Sequence, residues 1–197
     1  MCGRYYIEED DMSEQMLRFV EAARKKAEAK GLTLKTGEIF PTDIVPAIAG
    51  GRDLKPAVFP MRWGFTASGG GALINARSET ADTKPLFRQS ALQRRCLLPA
   101  ANYFEWERSA GVKTKYSIKM PGEGVMYLAG LYTRSDSCPF GEFTILTRPA
   151  AKDIAFIHDR MPVIMPENMI SRWLSHTEDY RSLLASAAEG VEYSVCV

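Results

Sequence analysis

Alternation of apolar and polar side chains, rather than a helical period, dominates the chain. Strand-forming runs rich in Val, Ile, Phe, Tyr and Trp occur at 4–7, 58–65, 96–98, 103–106, 116–119, 126–132 and 143–147. Turn-rich segments at 121–124 and 135–141 separate several of them, so successive strands are set to pair locally and antiparallel. One stretch reads otherwise. Met16, Phe19, Val20, Ala23 and Ala27 recur at three-, four- and seven-residue intervals, which predicts an amphipathic helix capped by Asp11 or Ser13 and stopped at Gly31. Its other face carries Arg18, Arg24, Lys25, Lys26 and Lys30, as a solvated surface does. Shorter helices are predicted over 83–95, with Pro85 at an early position, and over 150–157, 166–174 and 177–188, the last opening at Thr177 with Glu178 and Asp179 in its first turn. Between 37 and 60, Pro41, Pro46, Gly50 and Gly51 predict turns linking short extended pieces, and Pro60 restricts the 58–65 strand to an edge or to a start after the proline. The expected fold is α+β, a single compact domain over 1–197 with a mainly antiparallel, barrel-like β core flanked by helices.

Composition narrows the function. At 197 residues and 46% hydrophobic content, the chain can bury a substantial core. With 25 basic against 24 acidic side chains the net charge is +1, which excludes a global basic coat, so any polyanion site must be a local cluster. The cysteines are Cys2, Cys96, Cys138 and Cys196, with no CxxC spacing and only 2 histidines, so no metal site and no cofactor is expected. The glycine-rich run 68–71 lacks the lysine and Ser/Thr of a phosphate-binding loop. Neither a secretory leader pattern nor an apolar run of membrane-spanning length is present. The expectation is a cytoplasmic monomer with reduced thiols, beside the nucleoid in a bacterium or nuclear in a eukaryote, and without a membrane partner.

Chemistry concentrates at Met1-Cys2-Gly3-Arg4. A small second residue favours removal of the initiator Met, which would leave an α-amine and a thiol on one Cα. Such an aminothiol condenses with an aldehyde to an imine, and the thiol then closes a five-membered thiazolidine. Reference pKa values of about 8 for the amine and about 8.5 for the thiol leave neutral amine and some thiolate near pH 7. Position two can also simply tolerate Cys.

Four ordered motifs extend this picture: Met-Cys-Gly-Arg at the start, Asn75-Ala76-Arg77-Ser78-Glu79, Phe104-Glu105-Trp106, and His158-Asp159-Arg160-Met161-Pro162. In order and spacing, from residue 2 to about 175, they resemble the SRAP family, named for SOS response-associated peptidases. The resemblance implies a sensor of abasic sites in single-stranded DNA that cross-links through its N-terminal Cys as a thiazolidine with the ring-opened sugar. It also implies possible AP-lyase activity and a compact α+β domain with a DNA cleft.

Carried over by residue, Cys2 would be the nucleophile. Asn75 would hold the N-terminus or a sugar hydroxyl, although a turn-satisfying Asn is an ordinary alternative. Glu105, on the strand face opposite Phe104 and Trp106, is a carboxyl among aromatics suited to shuttling the imine proton, or else part of a structural salt bridge. His158 would move a proton on the sugar side or serve structurally. Arg4, Arg77 and Arg160 flank these stretches and suggest a phosphate-binding strip. Trp63, Pro41 and Met161 are candidates to stack on or wedge against bases, although Trp63 is also a natural core residue. Thr147 and Arg148 complete the DNA contacts on a weaker footing, because Thr147-Arg148-Pro149-Ala150-Ala151 departs from the family's Thr-containing stretch ending in Ala-Asn. Ala101-Asn102 likewise stands where the family carries a glycine. The expected partners are abasic single strands and single-to-double-strand junctions. Two alternatives remain: an N-terminal-nucleophile peptidase, acting in trans or only on itself, and a non-covalent reader of single-stranded DNA.

Overall fold

The computed structural model describes residues 2–10, 12–51, 55–109, 111–122, 124–134, 136, 138–175 and 177–196. The chain runs β1 (Arg4–Ile7), α1 (Glu14–Glu28), β2 (Gly37–Ile39), β3 (Ile44–Gly50), β4 (Pro56–Trp63), β5 (Phe65–Thr66), β6 (Ala72–Leu73), β7 (Asn75–Arg77) and α2 (Pro85–Gln93). It continues through β8 (Arg95–Ala100), β9 (Asn102–Ser109), β10 (Val112–Lys119), β11 (Met126–Thr133) and β12 (Glu142–Pro149). The last elements are β13 (Arg160–Pro162), β14 (Ile164–Met165), α3 (Ile170–Ser175), α4 (Tyr180–Leu184) and β15 (Glu192–Val195). This is the mixed α+β class the pattern predicts.

Two sheets carry the core. One has the order β15-β10-β9-β1-β2, so the N-terminal strand lies inside it, hydrogen-bonded on both edges. In the other, β12-β4-β3-β8-β11 returns to its start because β11 also pairs β12, giving a barrel-like ring. The pairing is antiparallel except where β12 runs parallel to β4 and to β7. Alternation along β1 sends Tyr5 and Ile7 inward, and they join Cys2, Trp63, Tyr103, Phe143 and Ile145 in one buried cluster.

Local signals set the helices. Ser13 caps α1 by accepting from the Met16 N–H at 3.2 Å, and Met16, Val20, Ala23 and Ala27 form its buried stripe. Asp11, the other candidate cap, lies outside the described residues. Pro85 opens α2 as expected. Elsewhere the helical expectations were too long. The 150–157 segment forms only a 3-10 turn at Lys152–Ile154, and the 177–188 segment contracts to α4, capped by Asp179 rather than Thr177. The Asp179 carboxylate accepts from the Ser182 N–H at 2.9 Å, a stronger hold on the first turn than a threonine hydroxyl gives. β4 runs through Pro60, which is tolerated because β12 meets β4 only at Arg62 and Trp63, leaving the proline on an edge. Among the described residues no helix is long and apolar enough to cross a membrane.

Candidate active site

β1 and β9 pair with Arg4 opposite Phe104 and Tyr5 opposite Tyr103. Extending that register sets Gly3 against Glu105, so the carboxylate arrives beside the residue that follows Cys2. Glu105 is 5% exposed and shares an open cleft of about 530 Å³ with His158, Trp106, Arg108, Lys113 and Phe156. Two of the predicted residues, far apart in sequence, therefore line one cavity.

Cys2 has no accessible surface, and its Sγ lies 3.7 Å from the Arg4 carbonyl oxygen. Burial pushes the thiol well above its ordinary range, and the nearby Glu105 carboxylate adds to the rise. Burial thus works against the thiolate that the reference value would allow. Asn75, at the start of β7, donates from Nδ2 to the Cys2 carbonyl at 2.9 Å. Its Oδ1 is buried and has no hydrogen-bond partner among the described residues. Tyr5 and Tyr103, which sequence reasoning missed, pack in the same cluster with buried hydroxyls. Burial raises both phenols, and Cys2 is the next contributor in each case. Their signal in sequence was the inward parity they share with Glu105.

His158 follows the Lys152–Ile154 turn, and its Nδ1 has two neighbours. The Arg160 N–H donates to it at 2.9 Å, and Asp159 Oδ1 also lies 2.9 Å away. A single ring nitrogen cannot accept from the first while donating to the second, so with the Arg160 N–H as its donor Nδ1 is an acceptor. In the neutral ring the proton then sits on Nε2.

The predicted DNA contacts fall into two groups. At the surface, Arg77 is exposed at the end of β7, and Arg4 lies half-buried with its guanidinium 3.7 Å from the Phe40 ring centroid, bonded to Glu38 at 3.0 Å. Pro41 is half-buried in a tight turn closed by Asp43 N–H donating to Phe40 O at 3.1 Å. The turn puts Thr42 at φ 79°, unusual for a β-branched residue. Arg160 is mostly committed: it forms a bidentate pair with Glu79 and donates to the Thr147 carbonyl at 2.6 Å. In the register β7–β12–β13, Thr147 lies between Arg77 and Pro162, whereas Arg160 lies opposite Pro149 and reaches the Thr147 carbonyl only through its side chain.

The second group is interior, and there the expectation is corrected. Trp63 is fully buried, stacked on Phe143 with ring centroids 6.2 Å apart, and donates from Nε1 to Ile74 O at 3.0 Å. Met161 and Thr147 also have no exposed surface. None of the three offers a face to a base or phosphate. Gly64 lets β6 approach: at φ 110° a Cβ there would stand 2.6 Å from the Ala72 Cβ. Arg148 is half-buried, with Nη2 donating to Ala188 O at 2.7 Å. The cleft's own cations, Arg108 and Lys113, went unnoticed in sequence because they sit where the β9–β10 hairpin turns, a place where charged residues are ordinary. Among the described residues no cluster of side chains is arranged to hold a metal ion.

The chain is 34% identical over 125 residues to the abasic site processing protein YoaM of Bacillus subtilis, covering 58% of this chain and 55% of that protein. It is 28% identical over 127 residues to the abasic site processing protein HMCES of Xenopus tropicalis, covering 53% and 38%. The chain thus spans about half the length of the curated relatives it matches. A crystal structure of a Bacteroides thetaiotaomicron protein superposes with a TM-score of 0.73 at 21% identity, covering 98% of this chain and 91% of that one, which supports the fold. The family model described as SOS response associated peptidase (SRAP) matches residues 1–195, and the chain belongs to that family.

Proposed function

We propose that this protein recognises abasic sites in single-stranded DNA and captures them covalently through Cys2 once Met1 is removed, with residues 1–197 acting as one domain. The observation that carries the reading is the hydrogen bond from Asn75 to the Cys2 carbonyl, which ties Cys2 to β7, while Glu105, close enough to raise the Cys2 thiol, lines the cleft that His158 also lines. The names of the curated relatives agree with it.

The α-amine adds to the C1′ aldehyde of the ring-opened sugar, giving a carbinolamine. Glu105 delivers a proton to the departing hydroxyl, and water leaves to form the imine. The Cys2 sulfur then adds to the imine carbon while its proton passes to nitrogen, closing the thiazolidine. A buried neutral thiol suits this order, because the amine attacks first and the thiol need not ionise beforehand. Asn75 Oδ1, buried and directed away from the Cys2 carbonyl, can accept from the amine or from a sugar hydroxyl. His158 Nε2 protonates an oxygen of the opening sugar; alternatively, loss of a C2′ proton from the imine expels the 3′ phosphate and nicks the strand. Arg77, Arg4 and Pro41 supply the contacts to the strand, with affinity arising from a local strip rather than net charge.

Intact-protein mass spectrometry after mixing with an abasic single strand tests the reading. The expected product has the mass of the protein beginning at Cys2 plus the DNA minus one water. Retention of that adduct when an uncleavable residue precedes Cys2 would overturn the N-terminal mechanism.

A further inference from the structure

Beside the cleft, on its outer rim, stand two exposed aromatic rings that belong to none of the motifs. Phe156, just after the Lys152–Ile154 turn, is 50% exposed, and Tyr193, on β15, is 47% exposed. Their centroids are 5.4 Å apart with the planes at 68°. Both also pack edge-on against Tyr116, at 5.7 and 5.9 Å. Tyr116 is itself buried and anchored, its hydroxyl donating to Glu107 at 2.9 Å. Three rings in mutual edge-to-face contact hold one another in place, yet this geometry leaves ring faces uncovered where parallel stacking would hide them.

We propose that Phe156 and Tyr193 form a stacking platform for an unpaired nucleobase flanking the lesion. The proposal rests on the single-strand reading above and adds a site to it. Continuity is the first support: Phe156 walls the same cleft as Glu105 and His158, so a strand whose abasic sugar lies between those two passes the rim. Charge is the second. Arg108 and Lys113 line the cleft beside Phe156, in a chain whose net charge is only +1. Flat rings next to cations fit a polyanion that carries flat bases, whereas an apolar protein surface would leave both cations opposite nothing that compensates them. Rigidity is the third support, because rings already fixed by Tyr116 lose little freedom when a base settles on them. A base without its own pairing partner is the ligand class, since a paired base has both faces covered by its neighbours in the stack.

The test places 2-aminopurine on either side of the abasic position and follows its fluorescence on binding to the full chain. Stacking on the platform quenches the probe on one side of the lesion only. Phe156→Ala should abolish that quenching and weaken binding to an undamaged single strand by roughly fivefold or more, the lower end of one base–aromatic stack. Phe156→Tyr and Tyr193→Phe, which keep the rings, should restore both. Unchanged quenching and affinity in Phe156→Ala, with the adduct still forming, would overturn the platform while leaving the proposed function intact. Loss of self-association in light scattering, with DNA quenching retained, would assign the rings to a protein contact and equally overturn it. If the unaltered protein neither binds single strands nor forms the adduct, the underlying reading fails first.

Discussion

Removing the Asn75 amide is the sharpest perturbation of the candidate site. Asn75→Ala deletes the 2.9 Å hydrogen bond to the Cys2 carbonyl and leaves that oxygen in a fully buried residue without its donor. A buried acceptor stripped of its partner loses about 1–3 kcal/mol. Two readouts divide that energy. If the bond holds the fold, the unfolding midpoint drops by roughly 2–4 °C per kcal/mol for a chain of this size. If it orients the aminothiol for attack, the same energy appears in the barrier, slowing cross-linking to an abasic single strand by about fivefold to 150-fold. The expectation is that the rate falls by at least fivefold at saturating DNA, where binding no longer limits, with affinity for undamaged DNA unchanged. Asn75→Asp should be worse, because a carboxylate oxygen would face the carbonyl instead of a donor. The assay is a quench time course of adduct against free DNA, run beside thermal unfolding. A wild-type rate in Asn75→Ala, together with a lowered midpoint, would show that the amide merely ties β7 to the N-terminal strand and would refute the orienting role.

Glu105→Gln should slow adduct formation without removing it, since aminothiols condense with aldehydes unaided, whereas His158→Gln should change strand nicking or adduct reversal more than yield; identical defects of both variants in every product would assign the two side chains to the fold. Arg77→Ala should weaken undamaged and abasic single strands alike and lower the slope of log affinity against log salt by about 0.7, and an unchanged slope would remove Arg77 from the phosphate strip. Alkaline pH supplies a test of the interior. Burial raises the Cys2 and Cys96 thiols in the folded chain, so above about pH 8.5 the unfolded chain releases protons that the folded one keeps, and stability falls as pH rises, by up to about 1.4 kcal/mol per unit for each thiol. Chemical denaturation from pH 8 to 10 should accordingly show the penalty of Cys96→Ala shrinking with pH, and a constant penalty would mean that the thiol ionises in place.

What the sequence revealed, and what it hid, follows from the range of the interactions involved. The stripe of α1, the Ser13 cap and the placing of Glu105 on the strand face opposite Phe104 and Trp106 were legible because each depends on neighbours within a turn of helix or two residues of strand. Ring closure through β11 and β12, and the parallel contacts of β12 with β4 and β7, depend on strands dozens of residues apart, which no local period encodes. The same limit explains the mistaken DNA contacts. Trp63 and Met161 are large apolar side chains of the kind that stack on or wedge against bases, but strand alternation turns both into the core. Their neighbours on the opposite parity, Arg62 and Arg160, are partly buried and pair with carboxylates, Glu142 and Glu79. Segment 150–157 shows a further kind of failure. Its composition permits a helix, yet Ala150 N–H bonds to Asp159 O at 2.9 Å, closing the segment into a loop whose ends meet. A helix of that length would carry its ends apart by its full rise, so the closed loop and the helix exclude each other. The loop is the conformation that brings His158 to the Glu105 cleft, and the chemistry assigned to that histidine thus depends on the local helical preference being overridden.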